Sequence, residues 1–140
     1  MSDEPYINAT EGRFRSIDIA RFATDLAKEL GGVARPWNAD YPNENQAIDL
    51  ADNTTLHLRA DDWKGRVSIG IDAADIPFND RPTYGTGHQT ESVTVNPDGR
   101  PIAAIARDVT KRVIRANADT IAKRRAYATG RADARANLAA

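Results

Sequence analysis

Thr55-Leu56-His57-Leu58-Arg59-Ala60 and Arg66-Val67-Ser68-Ile69-Gly70-Ile71-Asp72, separated by Asp61-Asp62-Trp63-Lys64-Gly65, decide the fold. In the first run Leu56 and Leu58 alternate with Thr55, His57 and Arg59; in the second Val67, Ile69 and Ile71 alternate with Arg66, Ser68, Gly70 and Asp72. Successive strand side chains point to opposite faces, so each run has one apolar and one wet face. Short turn-forming links between such runs are the mark of antiparallel hairpins. Working outward, Ile48 and Leu50 give an earlier strand, reached through the turn at Asp52-Asn53. Glu91 to Val95 gives a later strand, with Val93 and Val95 directed inward.

Helical patterns bracket the strands. Ile19, Phe22, Ala23, Leu26 and Leu30 recur at steps of three and four and predict a helix over 17–30. Ser16 is its expected N-cap, Asp18 suits the first turn, and Gly31-Gly32 supplies a left-handed stop. Asn96-Pro97-Asp98-Gly99 is a turn signal, and Pro101 fits the first position of a second, long helix. Ile102, Ile105, Ala106, Val109 and Val113 form its apolar stripe, and helix propensity stays high through Ala126. Residues 1–15 lack periodicity and read as a loose lead-in. Residues 33–45 read as a loop whose Trp37 and Tyr41 fold back over the first helix. The stretch 74–90 is rich in turn formers (Asp75, Pro77, Asn79, Asp80, Pro82, Gly85, Gly87) and long for a plain connection, which makes it a candidate functional loop. The Ala/Arg tail, 129–140, has too few bulky apolar groups to pack. The expectation is one α+β domain over 16–128: two layers, a three- to four-stranded antiparallel sheet, and two helices packed on one face, in the order α-β-β-β-(β)-α.

Composition narrows the function classes. The chain has 140 residues, 41% of them apolar and 28% charged, as in an ordinary globular domain. It contains no Cys, which excludes disulfides, thiolate nucleophiles and Cys-based metal centres. The acidic start Met1-Ser2-Asp3-Glu4-Pro5 has no apolar run behind it, so a cytoplasmic location without a membrane partner is expected. Charge is divided unevenly. Residues 100–140 carry ten Lys or Arg against three Asp, a net of +7, whereas residues 1–99 carry nine against seventeen Asp or Glu, a net of −8.

Val93-Thr94-Val95-Asn96-Pro97-Asp98-Gly99-Arg100-Pro101-Ile102-Ala103-Ala104-Ile105-Ala106-Arg107-Asp108-Val109 resembles the end of small uncharacterised proteins encoded by phages and mobile elements. That resemblance covers the C-terminal third and carries no catalytic signature. It implies an accessory protein that binds a host or defence component. The element order is also similar to that of double-stranded-RNA-binding domains. Gly99-Arg100-Pro101-Ile102-Ala103 lacks that family's Lys-rich start to the second helix, so no residue is carried over.

Candidate residues follow from chemistry. His57 lies in the solvent-side register of its strand, and His88 sits in Tyr84-Gly85-Thr86-Gly87-His88; neither has a base or orienting acid at readable spacing. The acidic pairs Asp49/Asp52, Asp61/Asp62 and Asp72/Asp75 sit at strand ends. There, turn hydrogen bonding is the simpler role than metal binding. The Gly85-x-Gly87 pair opens no helix and is followed by His88-Gln89, unlike a phosphate loop. No catalytic group, cofactor or metal is therefore assigned. Trp63, in a hairpin turn, either closes the core or anchors a partner, and Tyr84 and His88 belong to the candidate loop. Lys111, Arg112, Arg115, Lys123, Arg124 and Arg125 form a basic helix face. It is solvated, paired with the acidic sheet, or docked on protein or nucleic acid. The reading favoured by these residues is a non-enzymatic protein that occupies a host or phage protein's surface. Nucleic-acid binding through the basic helix is the alternative, and homo-oligomeric assembly the third.

Overall fold

The computed structural model describes residues 6–11, 14–74, 76 and 90–139. A short hairpin of β1 (Ile7–Glu11) and β2 (Phe14–Ile17) leads into α1 (Ile19–Leu30). Strands β3 (Val33–Pro36), β4 (Asn45–Asp49), β5 (Thr54–Asp61), β6 (Arg66–Ala73) and β7 (Val93–Val95) then form one antiparallel sheet in that spatial order. Helix α2 (Ile102–Val109) passes into a π-helical segment, Thr110–Arg115, and α3 (Ala118–Ala139) follows. The class is α+β with an antiparallel sheet, as the alternation predicts. The main sheet has five strands where three or four were expected, and α1, α2 and α3 stand where two helices were expected.

Register explains the core. Ile48, Leu56 and Ile71 stand side by side, as do Leu58, Ile69 and Val93, and Ala60, Val67 and Val95. These rungs meet Ile19, Phe22 and Leu26 of α1 and Ile105, Val109 and Val113 of α2 and its π segment, all fully or almost fully buried. Each such side chain is worth ~1.5–3 kcal/mol of burial. Both helices therefore lie on one face of the sheet, as expected.

Several boundaries depart from the sequence reading. Val33–Pro36 pairs with β4 instead of looping, because an edge strand needs partners on one side only and Pro36 ends it where its missing N–H costs little. Ile7–Glu11 and Phe14–Ile17 pair as antiparallel strands where a loose lead-in over 1–15 was expected. The pair is tied down where the Tyr6 hydroxyl donates to Asp25 Oδ2 (2.8 Å), the Tyr6 ring meets Phe22 edge-on, and the Ile17 N–H donates to Asp62 Oδ1 (3.0 Å). Asp18, not Ser16, caps α1 by accepting from the Arg21 N–H at 3.1 Å, and Gly31 at φ 72° closes it as read. The long C-terminal helix is two helices joined through the π segment and a turn at 116–117, and α3 continues helically through the Ala/Arg tail to Ala139.

Candidate partner-binding face

The face of the sheet opposite α1 and α2 carries the polar register of the strands. One rung runs Asn45, Arg59, Ser68, Thr94; the next runs Arg35, Ala47, His57, Gly70; the third runs Val33, Asp49, Thr55, Asp72. Two local clusters hold it in shape. Arg35 bonds both carboxylate oxygens of Asp49 (Nε–Oδ2 2.6 Å, Nη2–Oδ1 3.2 Å), and the Thr55 hydroxyl donates to Oδ1 at 2.9 Å. The Arg35 guanidinium holds the Asp49 carboxyl below the usual carboxylate range. Next to it the Trp37 and His57 rings stack with centroids 4.4 Å apart, and His57 Nε2 lies 3.1 Å from Asn45 Oδ1. Trp37 thus folds over the open sheet face, not over α1 as the sequence suggested.

A hollow of about 800 Å³ opens beside this stack. Glu44, Asn45, His57, Arg59, Asp61, Trp63 and Ser68 are among the residues lining it. Trp63 stands in the β5–β6 turn with 72% of its surface exposed, so it does not close the core. Trp37 and Tyr41 are 46% and 56% exposed. His57 shares the hollow with Glu44, Asp61 and Asp62, but the His57 ring bonds the Asn45 amide. Among the described residues it meets neither a carboxylate nor a hydroxyl. Asp61 and Asp62 are turn and anchor residues, accepting from the Lys64 and Ile17 N–H groups, and Asp52 accepts from Thr54. Among the described residues, no group of three or more His, Asp or Glu could hold a metal ion.

Burial, and secondarily the charge of Arg59, push the His57 imidazole below its ordinary value of 6.5. The fold therefore favours the neutral ring. The unfolded chain takes up more protons as pH falls below about 6.5, so stability present above that pH is lost toward the lowered folded pKa. Melting temperature is expected to fall between about pH 7 and 5, and His57→Gln to flatten that slope. Thermal scans of both proteins across the range check this. An unchanged slope would place the titration elsewhere.

The basic face divides. Arg124 Nη1 lies 2.7 Å from Asp72 Oδ1 with its side chain only 16% exposed, and Arg125 Nη2 donates to the Asp52 and Asn53 carbonyls at 2.8 and 3.3 Å. Both are internal fastenings of α3. Lys123 pairs with Asp119 one turn away, at 3.1 Å. Lys111, Arg112 and Arg115 are exposed on the π segment, on the helical side of the sheet and away from Trp63. Tyr84 and His88, with nearly all of the 74–90 connection, lie outside the described residues. The sequence did not single out the Trp37–His57–Asn45 cluster; its members belong to a loop and two strands, and only the register brings them together. No helix is long and apolar enough to cross a membrane among the described residues. Compared with known proteins, the chain matches no family model, and neither a curated protein nor a solved structure shows significant similarity to it.

Proposed function

We propose that this chain is a binding module that occupies a surface of another protein with the open face of its sheet, performing no chemistry of its own. The observation that supports it is the exposure of Trp63 and Trp37 beside a polar hollow on a face that α1 and α2 leave uncovered. Tryptophan is enriched among the residues that dominate interface energies, and soluble proteins rarely expose several large aromatics without use. The five strand axes span about 19 Å, and β5 and β6 run about 27 Å, a footprint at the small end of the range that protein interfaces use. The Arg35–Asp49–Thr55 and Trp37–His57–Asn45 clusters keep the face rigid before contact, which lowers the ordering cost of binding. In a phage or mobile-element setting, suggested by the Val93–Val109 likeness, such occupancy would block a host or defence protein.

The test is selection of binders from a displayed peptide library on the immobilised full chain, followed by calorimetry at near-physiological salt. Binders of this face are expected to lose about 30-fold or more in affinity on Trp63→Ser, the loss of a ~2 kcal/mol anchor. They should be indifferent to Arg112→Glu. Binders that ignore Trp63→Ser and Trp37→Ser alike would overturn the reading.

A further inference from the structure

We infer that the groove between the end of α1 and α2 is a second docking site, one that takes an acidic segment with interspersed apolar side chains from a partner protein. The groove measures about 370 Å³ and lies on the helical side of the molecule, so this site is independent of the sheet face. Arg107, Lys111 and Arg115 line it together with Leu30, Ala106 and Glu29. A neighbouring hollow of about 330 Å³ shares Leu30, Glu29 and Thr110 and adds Leu50, Ile114 and Asp52. The result is an apolar floor under a file of cations.

The file depends on the backbone. In an α-helix, every fourth residue advances about 40° around the axis, so three cations at that spacing would fan out. The wider π turn puts more residues in each turn, so a step of four falls short of a full circle. Arg107 to Lys111 is mostly α-helical and Lys111 to Arg115 is π-helical, so the two drifts oppose each other and all three side chains border one groove.

These cations also differ from several of the protein's other basic groups. Arg35, Arg100, Lys123 and Arg124 each meet a carboxylate, and Arg125 meets backbone carbonyls. Among the described residues, Arg107, Lys111 and Arg115 have no hydrogen bond or contact ion pair. The nearby Asp108, which feels the Lys111 charge, is already bonded to Arg100 at 2.6 Å. Three uncommitted cations around an apolar floor complement carboxylates spaced along a peptide that also brings apolar groups. A nucleic-acid strand fits less well. Among the described residues, the exposed tryptophans on which bases could stack, Trp37 and Trp63, border the hollow on the other side of the sheet.

The probe is a fluorescein-labelled peptide of about twelve residues, some three helical turns, with Glu at every fourth position and Leu between. Comparison ligands are oligo-aspartate of equal length, the Lys-for-Glu peptide, and short single-stranded and duplex oligonucleotides. Anisotropy is read at about 0.15 M salt, where screening leaves only close contacts. Saturable binding of the Glu/Leu peptide is expected. It should weaken at least tenfold in Lys111→Glu/Arg115→Glu, with melting temperature unchanged, and persist in Trp37→Ser/Trp63→Ser. No binding, equal binding of oligo-aspartate, tighter binding of an oligonucleotide, or full binding by the charge-reversed variant would each overturn the inference. A large drop in melting temperature on charge reversal would do so too, assigning the cations to the C-terminal dipole of α1.

Discussion

Replacing Asn117 with leucine is expected to lower the unfolding free energy by about 3 kcal/mol and the melting temperature by about 10 °C. Asn117 is only 2% exposed and sits between the π segment and α3. Its Nδ2 donates to the carbonyls of Glu91 (2.9 Å) and Val113 (2.8 Å), and its Oδ1 accepts from the Glu91 N–H at 2.8 Å. One amide thus satisfies both backbone groups of the residue leading into β7 and adds a bond to the Val113 carbonyl, which also accepts from the Ala116 and Asn117 N–H groups. Leucine fills a similar volume but leaves both Glu91 backbone groups without this partner, and buried polar groups left without partners cost ~1–3 kcal/mol each. Asn117→Asp keeps the acceptor and loses both donations, so it should fall between wild type and leucine. Urea unfolding of the three proteins is the measurement. A leucine variant within about 1 kcal/mol of wild type would mean that water replaces the amide at little cost.

Asn117 also shows where reading from sequence stops. The β5 and β6 strands were legible because Leu56, Leu58, Val67, Ile69 and Ile71 alternate with polar residues in runs long enough to exclude a helix. Helix α1 was legible for the same reason at a different period, and Gly31 marked its end. Val33–Pro36 had no such signal. Its strand state comes from pairing with Ala47 and Asp49, which lie beyond a loop. The β1–β2 hairpin depends on Tyr6 meeting Asp25 and Phe22, a tertiary contact that leaves no local period. Asn117 itself looks like an ordinary polar helix residue until Glu91 is placed beside it. For the candidate sites, Trp63 could be named from its turn position, but its exposure depended on how far the core reached. The helix charges could be counted, but the acid that each one meets could not.

Arg124 is the clearest instance, and Arg124→Glu is expected to release α3 from the sheet. Among the described residues, fastenings of the helix to the sheet lie in its N-terminal half. Ile121 packs with Ala73 and Ile76 in a small apolar cluster joined by Ala128, Arg124 meets Asp72, and Arg125 reaches the β4–β5 turn. From Thr129 to Leu138 every residue is exposed. Reversing Arg124 removes the charge-assisted bond and sets a carboxylate against Asp72 in a partly buried place, where like charges are poorly screened. Losing one partner of a fully buried pair costs ~3–5 kcal/mol, and a pair that still touches water costs less, about 2. The apolar cluster is too small to hold the helix against that. Backbone amides over 118–128 are therefore expected to exchange with solvent at least tenfold faster, while β5 and β6 keep their protection. Lys123→Glu is the matched control. Its partner Asp119 is on the same helix and the pair is mostly exposed, so exchange should barely change. Unchanged protection in Arg124→Glu would show that the Ile121 cluster and Arg125 dock the helix without it. Protection lost throughout the sheet would make α3 part of the cooperative core, not an appendage.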